Sequence, residues 1–391
     1  MAKTMQIELA DRIESLPPYL FARLDKLRAE KVAQGVDVIT LAKGDPDLPT
    51  PDAVIERLFA AARNPSTHQY CEDGLPEYRR AIGDWYQRRF NVRLDPQKQI
   101  VPLIGSKEGI AHLPIALLDA DDYVLVPDPG YPVYSIGARL VGARVHYMPL
   151  TAARDWLPDL DAIPREVLQR AKAMWLCYPN NPTSAVAAMD FFEEAVEFGH
   201  RHGISVCQDA AYSEVTYEGY RSRSILEVPG AFECAVEFHS LSKTYNMTGW
   251  RVGWAVGNDR VIEGLARVKS NMDSGIFAAV QHAAIAALEL PQSWIDDRNA
   301  VYQRRRDRVV AALRGMGLAP EIPHASLYVW TPVPGGHTSS DFAAAVMNQV
   351  GVIVTPGLGF GPSGDGHFRI SLTTPDDRLE EGLDRLVRVR V

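Results

Sequence analysis

The sequence predicts an α/β protein with a large, mostly parallel sheet, followed by a smaller α+β region. Three apolar runs of strand length, separated by helical stretches, indicate strands covered on both faces: residues 124–126, 173–177 and 204–207. Polar or turn residues follow each run, at 128–131, 180–183 and 209–212. Ligands of open α/β sheets bind beyond the carboxyl ends of the strands, so we expect a ligand site there.

The length of the chain suggests two or three domains. It has 391 residues, 46% of them hydrophobic. An arm and an amphipathic helix over 20–32 precede a turn-rich piece over 39–51, and residues 328–330 and 368–372 read as strands before a final helix from residue 376. We expect residues 1–48 to belong with a small C-terminal domain, 291–391, and residues 49–290 to form the large domain. The arginine-rich run 304–308 is expected on a solvated helix face.

The composition excludes several classes of function. The net charge of −8 is spread along the chain, whereas nucleic-acid binding requires a basic face. No apolar run approaches the ~18 residues that a membrane-spanning helix needs. The four cysteines form no Cys-x-x-Cys pair and are expected to be buried free thiols. We therefore expect a cytoplasmic protein without nucleic-acid or membrane partners, and the sequence suggests no metal-ligand set.

Lys243 is the most informative residue. Ser240 and Ser242 precede it at the end of an apolar run, and Arg251 follows eight residues later. A lysine amine forms Schiff bases with aldehydes, while hydroxyls and a guanidinium suit a phosphate. Together these groups fit pyridoxal 5′-phosphate (PLP); the alternative is a surface lysine in a turn.

A glycine-containing loop offers a second anion site. It follows the strand-like residues 100–104, begins a helix and contains Ser106 and Lys107. Glycine permits close backbone approach, and the free N–H groups of a helix start bind anions. The loop is neither a P-loop nor a Gly-x-Gly-x-x-Gly turn, so nucleotide binding loses support.

Further side chains suit the ring and the carboxylate of an amino-acid substrate. Asp209, at the end of a strand, would keep a pyridine nitrogen protonated, or else cap a helix. Tyr212 and Asn181 would reach the ring's phenolic oxygen, although Asn181 also suits a turn. Tyr131 would stack on the ring or lie in the core, and Arg369 would clamp a carboxylate or form a surface ion pair.

These residues carry a family resemblance over nearly the whole chain. The sequence resembles the class I/II aminotransferases of PLP fold type I, the aspartate-aminotransferase-like fold. The motifs occur in that family's order: Gly44-x-Pro46-Asp47, Asn181-Pro182-Thr183, Asp209-x-x-Tyr212 and Ser240-x-Ser242-Lys243 with Arg251.

The resemblance implies roles for the candidate residues. Lys243 would bind the cofactor's aldehyde and move the substrate proton. The phosphate region would be held by Ser106, Lys107, Ser240, Ser242 and Arg251, and the ring by Tyr131, Asp209, Asn181 and Tyr212. Arg369 and Asn181, with the backbone of Gly44, would take the substrate's α-carboxylate. The resemblance also implies a homodimer with shared active sites, in which Tyr70 would reach the partner's phosphate and Tyr19 would close over the substrate.

Several positions depart from the family pattern. Ser184 stands where glycine is usual, Lys43 where a small or apolar residue is usual, and Ala325 and Leu327 replace a glycine and an aromatic residue. The loop 70–74 is one residue shorter than in relatives. None of these changes touches the PLP residues, so they bear on the substrate or the reaction outcome. Lys43 either pairs with a distal carboxylate of the substrate or faces solvent.

The resemblance also implies a substrate. Long segments are similar to the branch of the family that acts on LL-2,6-diaminopimelate with 2-oxoglutarate in lysine biosynthesis. The alternatives are an aminotransferase of aspartate, alanine or methionine type, and a PLP-dependent lyase or oxidase on the same scaffold.

Overall fold

The computed structural model describes residues 7–17 and 20–390, and its centre is a seven-stranded sheet. The strands are β1 (Ile39–Thr40), β2 (Ile100–Leu103), β3 (Tyr123–Asp128), β4 (Arg144–Pro149), β5 (Ala171–Cys177), β6 (Ser205–Asp209), β7 (Ala235–Ser240), β8 (Gly253–Gly257), β9 (Tyr328–Pro332), β10 (Val352–Ile353), β11 (Thr355–Pro356) and β12 (His367–Ser371). The large sheet has the order β2-β8-β7-β6-β5-β3-β4, and β8 is antiparallel to both of its neighbours. The predicted mostly parallel sheet is confirmed.

Helices cover both faces of this sheet. They are α1 (Asp11–Glu14), α2 (Leu20–Ala33), α3 (Asp52–Ala62), α4 (Pro76–Phe90), α5 (Ser106–Leu117), α6 (Val133–Leu140), α7 (Arg165–Leu168), α8 (Met189–His202), α9 (Leu241–Thr244), α10 (Asp259–Ser270), α11 (Ala278–Leu288), α12 (Gln292–Gly315), α13 (Ser339–Val350) and α14 (Asp376–Leu386). Alternate side chains of β3 enter different cores: Val124 and Val126 pack with α5, α6 and α10, and Leu125 packs with α4, α8 and α11. Burial on both faces explains why the strands read as unbroken apolar runs.

Two small sheets form the other part of the fold. Strands β11, β12 and β9 are antiparallel, and β1 pairs in parallel with β10. Ile39 and Leu41 share a core with apolar residues of α12, α13 and α14. The chain segment after α2 is thus joined to C-terminal elements. The division into 1–48, 49–290 and 291–391 stays a prediction.

The expected solvated face of the arginine run is wrong for two residues of α12. Arg305 is buried and pairs with Asp47 at 2.7 Å, and Arg306 is buried and pairs with Glu218 at 2.7 Å. The carboxylates come from other segments of the chain, which cover this face of the helix. Such ion pairs offset part of the cost of burying a guanidinium. Arg308, in contrast, is exposed as expected and pairs with Glu380.

The cysteines agree in part with the expected burial. Cys177 and Cys207 are buried free thiols, while Cys71 and Cys234 are partly exposed. Throughout residues 7–17 and 20–390, every helix is too short or too polar to cross a bilayer.

Candidate active site

Most of the predicted site residues line a single cavity of about 370 Å³. This volume lies within the range of roughly 300–1,000 Å³ of small-molecule sites. The lining includes Lys43, Gly44, Ser106, Lys107, Tyr131, Asn181, Asp209, Tyr212, Ser240, Ser242, Lys243, Arg251 and Arg369. The cavity lies at the carboxyl ends of β2, β3, β5, β6 and β7, where the strand pattern predicted a ligand site.

Two predicted residues remain, Tyr70 and Tyr19. Tyr70 is 85% exposed in the single chain and lies outside the cavity. Tyr19 lies outside the described residues. A larger surface cleft of about 710 Å³, beside Arg79 and Arg260, contains none of the predicted site residues.

Lys243 lies on α9, directly after β7. The Ser240 side chain caps this short helix by accepting a hydrogen bond from the Ser242 N–H at 3.2 Å. The Nζ of Lys243 donates to the carbonyl oxygen of Gly44. Burial lowers the pKa of Lys243 to about 8, the positive charges of Arg369 and Arg251 act in the same direction, and Asp45 opposes them. A much larger fraction of the amine is therefore free to act as a nucleophile near neutral pH than at the usual lysine pKa.

Three consecutive carbonyls of the 42–44 segment accept hydrogen bonds from side chains. Ala42 accepts from Arg369 Nη2 at 2.7 Å, Lys43 from Thr373 Oγ1 at 2.6 Å, and Gly44 from Lys243. A Cβ at Gly44 would lie 2.0 Å from the hydroxyl oxygen of Tyr328, so only glycine fits. The segment is thereby fixed between Lys243 and Arg369.

Asp209 ends β6 as a buried carboxylate. Its Oδ2 accepts a hydrogen bond from the Tyr134 hydroxyl at 2.8 Å, and its Oδ1 accepts from the Ala211 N–H at 3.2 Å. Burial raises the pKa of Asp209, and both hydrogen bonds oppose that rise. The sequence analysis missed Tyr134, which lies on α6 three residues after Tyr131 and contacts its ring edge-on at 5.7 Å.

Arg369, on β12, forms the opposite wall. Its Nη1 donates to Asn181 Oδ1 at 2.7 Å, and its guanidinium lies 3.8 Å from the ring centre of Tyr328. The hydroxyl of Tyr328 shares a 2.7 Å hydrogen bond with that of Tyr212. The sequence indicated only that Tyr328 belongs to a strand, and its place in the site went unnoticed.

A helix start and a guanidinium form the third part of the cavity. Gly105 precedes α5 with φ 73°, and a Cβ there would lie 2.3 Å from Arg251 Nη2. The carboxylate of Glu108 accepts from the Ile104 N–H at 3.0 Å and so holds the turn that leads into α5. The start of α5, the hydroxyl of Ser106 and the guanidinium of Arg251 thus belong to the same cavity, and this combination suits an anion.

The cavity combines groups that handle an aldehyde, a ring, an anion and a carboxylate, and comparison with protein families gives it a class. Residues 36–386 match the family model described as aminotransferase class I and II. The chain belongs to this family, and its predicted fold type and PLP dependence are confirmed. It is a PLP-dependent transaminase, whose substrates are an amino acid and a 2-oxo acid.

Individual relatives are similar over nearly their whole length. The chain is 56% identical over 378 residues to LL-diaminopimelate aminotransferase of Desulforudis audaxviator, covering 96% of each chain. It is 54% identical over 385 residues to the enzyme of the same name from Dehalococcoides mccartyi, covering 98% of this chain and 99% of that one. Among solved structures, apo-BacF of Bacillus subtilis superposes with a TM-score of 0.95 at 35% identity, covering 99% of both chains.

The cavity's own residues fit the cofactor. Gly105 leaves space beside Arg251 that a Cβ would fill, which suits a phosphate held against the start of α5. Asp209 is a buried carboxylate of the kind that keeps a pyridine nitrogen protonated. Lys243 supplies an amine with a lowered pKa in the same cavity. Aldehyde, ring nitrogen and phosphate therefore each have a chemically matched partner.

Proposed function

We propose that this enzyme transfers an amino group from LL-2,6-diaminopimelate to 2-oxoglutarate. Two relatives that are 54–56% identical over almost their whole length are named LL-diaminopimelate aminotransferase, which supports the proposed amino donor. The observation that carries the chemistry is the convergence of Lys243, Asp209 and Arg369 on one cavity. A reactive amine, a ring-nitrogen partner and a carboxylate clamp are what amino transfer requires.

The proposed mechanism assigns each step to a side chain. Bound PLP supplies an electron sink for the electron pair released when the substrate's Cα–H bond breaks. Nζ of Lys243 removes the proton from Cα, as a base with its lowered pKa can do near neutral pH. Asp209 keeps the ring nitrogen protonated. Arg369, whose fork is oriented by Asn181 and the Ala42 carbonyl, binds the α-carboxylate.

The remaining predicted residues would bind the cofactor. Ser240, Ser242, Ser106, Lys107 and Arg251 would hold the phosphate. Tyr131 would stack on the ring, and Tyr212 and Asn181 would contact its phenolic oxygen. Their common position in the cavity supports these roles.

We further propose a homodimer with shared active sites. Large apolar side chains are exposed around the contact of α3 with α11: Ile55, Phe59, Tyr70, Met272 and Phe277. His68 contacts Phe277 at 5.8 Å, and the backbone of Cys71 pairs with Gly275, so these segments form one surface. Clustered exposed apolar groups favour burial against a partner chain. Tyr70, at its edge, would then reach the partner's phosphate.

A donor screen read by cofactor absorbance tests the reaction. We expect LL-2,6-diaminopimelate alone to convert the bound cofactor to its pyridoxamine form, and 2-oxoglutarate to restore it. A meso-diaminopimelate arm tests stereochemical preference. Conversion by aspartate, alanine or methionine but not by diaminopimelate would contradict the proposed substrate. Oxygen consumption would indicate an oxidase, and pyruvate with ammonia in the absence of an acceptor would indicate a lyase.

The role of Lys243 is tested by Lys243→Ala. We expect the variant to retain PLP through phosphate and ring contacts, while turnover falls roughly 10²–10⁴-fold or more. Lys172→Ala is the matched control, because Lys172 is exposed on β5 and outside the cavity. Near-normal turnover in Lys243→Ala would refute the mechanism.

A further inference from the structure

An ion pair lies in the wall of the active-site cavity. Nζ of Lys43 is 2.8 Å from Oδ1 of Asp25, and the two side chains are 42% and 49% exposed. Both residues line the cavity that contains Lys243 and Arg369. A half-exposed pair of this kind contributes only about 0–1 kcal/mol to stability. A ligand can therefore separate or bridge its two charges at small cost.

The backbone at Lys43 is fixed relative to the reacting groups. Its own carbonyl accepts from Thr373, and the carbonyls on either side accept from Arg369 and Lys243. The side chain of Lys43 thus begins between the carboxylate clamp and the reactive amine, and extends to Asp25 on α2. A substrate held by Arg369 would direct its far end toward groups in this wall.

The ion pair is not required to hold α2 in place. Leu24 and Leu27 of that helix pack against a small apolar cluster that includes Ala42 and Met347. Lys31, farther along α2, donates to Asn348 at 2.9 Å. Since the helix has these separate attachments, Asp25 and Lys43 are available for recognition.

We propose that Asp25 and Lys43 form a subsite for a substrate end that carries both an ammonium and a carboxylate. Lys43 binds the distal carboxylate and Asp25 binds the distal ammonium, so the four charges alternate in sign. Asp45, exposed in the same cavity wall, adds negative charge that favours the ammonium. A substrate that ends in a carboxylate alone meets repulsion from Asp25, and one that ends in an amine alone meets repulsion from Lys43.

This inference rests on the proposed function, because LL-2,6-diaminopimelate has such a zwitterionic far end. The probes are LL-2,6-diaminopimelate, L-2-aminopimelate, which lacks the distal ammonium, and L-lysine, which lacks the distal carboxylate. Each is supplied to the PLP-loaded enzyme without acceptor, and conversion to the pyridoxamine form is followed in a single turnover. The variants are Lys43→Met and Asp25→Asn. Controls are Lys26→Met and Glu30→Gln, which change exposed charges on α2 outside the cavity.

The two variants should shift discrimination in opposite directions. The measured quantity is the limiting rate divided by the half-saturating concentration of each probe. We expect Lys43→Met to lower this ratio roughly tenfold for diaminopimelate and aminopimelate, which is the effect of losing one charged hydrogen bond. The ratio for lysine should stay unchanged or increase. Asp25→Asn should lower the ratio for diaminopimelate and raise it for aminopimelate. The half-saturating concentration of each probe should change, and the limiting rate should not, since neither residue contacts the reacting atom.

Failure of this inference differs from failure of the proposed function. A wild-type enzyme that does not react with diaminopimelate contradicts the proposed substrate. If the wild-type enzyme reacts with diaminopimelate, but Lys43→Met and Asp25→Asn discriminate among the probes no differently from the controls, the proposed subsite is wrong. Lower thermal stability with unchanged discrimination also overturns it, because the pair would then serve only to attach α2.

Discussion

The phenolic hydroxyl of Tyr134 donates to Oδ2 of Asp209 over 2.8 Å, and both side chains are buried. Tyr134 also stacks on Trp175, with ring centres 5.0 Å apart and planes at 12°, which fixes the direction of its hydroxyl. Burial raises the pKa of Asp209, and this hydrogen bond opposes the rise. Tyr134 therefore helps Asp209 to stay ionised.

Removing that hydroxyl should weaken the function of Asp209. In Tyr134→Phe the pKa of Asp209 rises further. As the pH is lowered, the Asp209 carboxylate of this variant therefore becomes protonated at a higher pH than in the wild type. A hydrogen bond to a charged group contributes about 1.5–3 kcal/mol, and we expect a fall of roughly tenfold or more in kcat/KM. The measurement is the pH profile of kcat/KM, with Tyr123→Phe as control. An acid limb at its wild-type position would contradict this role.

Lys243 should react with PLP at unusually low pH. Its pKa is lowered to about 8, so the free amine is lost as the pH falls through that value rather than through the usual range near 10.5. We expect the rate at which apoenzyme takes up PLP, followed by visible absorbance, to rise with pH with a midpoint near 8. Asp45 raises this pKa, so Asp45→Asn should move the midpoint lower. Asp52→Asn, on the exposed start of α3, should leave it unchanged.

A midpoint near 10 in wild-type enzyme would contradict the lowered pKa. A midpoint that responds equally to Asp45→Asn and Asp52→Asn would contradict the specific effect of Asp45, because a general change in net charge would then explain the shift.

The sequence predicted those site residues that can be recognised from their neighbours in the chain. Lys243, Ser240 and Ser242 adjoin one another, and Asp209 follows a recognisable strand, so motif and element pattern located them together. Tyr134 and Tyr328 could not be found in this way. Tyr134 bonds to a residue 75 positions away, and Tyr328 to one 116 positions away. A tyrosine's partner depends on how distant elements pack, which no local pattern records.

The same limit applies to charged side chains. Arg305 and Arg306 looked solvent-facing because a run of arginines suits a helix surface. Their burial follows from Asp47 and Glu218, which other segments bring over α12. For Lys43, the sequence allows either a solvent-facing position or a substrate contact, and neither alternative predicts Asp25 as its partner.

Gly105 should be required for PLP affinity. A Cβ at this position would lie 2.3 Å from Arg251 Nη2. Its φ of 73° and ψ of 152° form a combination that is almost restricted to glycine and costs another residue about 1–3 kcal/mol. We expect Gly105→Ala to displace the guanidinium and weaken PLP binding roughly tenfold or more, as measured by titrating apoenzyme. Gly249→Ala is the matched control, since a Cβ there meets no atom within 4 Å. Equal PLP affinity in the two variants would show that the contact does not matter.

Ser184 should stabilise the protein through its side chain while straining its backbone. It is buried, has φ 61°, and its Oγ donates to the Tyr328 carbonyl at 2.8 Å. Ser184→Ala loses the bond and keeps the left-handed backbone, so we expect a loss of about 1–2 kcal/mol. Ser184→Gly loses the same bond but relieves about 1–2 kcal/mol of strain. In thermal unfolding, the wild type and Ser184→Gly should both have higher melting temperatures than Ser184→Ala. A Ser184→Gly variant less stable than Ser184→Ala would contradict this account.

Arg298 should position Lys243 without touching the substrate. This buried guanidinium of α12 donates to the carbonyls of Lys243 and Glu214, each at 2.6 Å, and also to that of Thr244. Arg298→Lys keeps the charge but replaces a planar fork that serves several acceptors with a single ammonium. Because a displacement of about 1 Å can cost roughly 10²-fold in rate, we expect kcat to fall by one to two orders of magnitude while PLP stays bound.

The control for Arg298 is Arg304→Lys, an exposed position on the same helix. A pH titration followed by the absorbance of the bound cofactor reports the environment of the Lys243 nitrogen. If Arg298 contributed only to stability, its replacement would leave this titration unchanged. We expect this titration to shift in Arg298→Lys and to stay fixed in Arg304→Lys. A lower melting temperature with wild-type kcat and titration would mean that Arg298 supports the fold and not the position of Lys243.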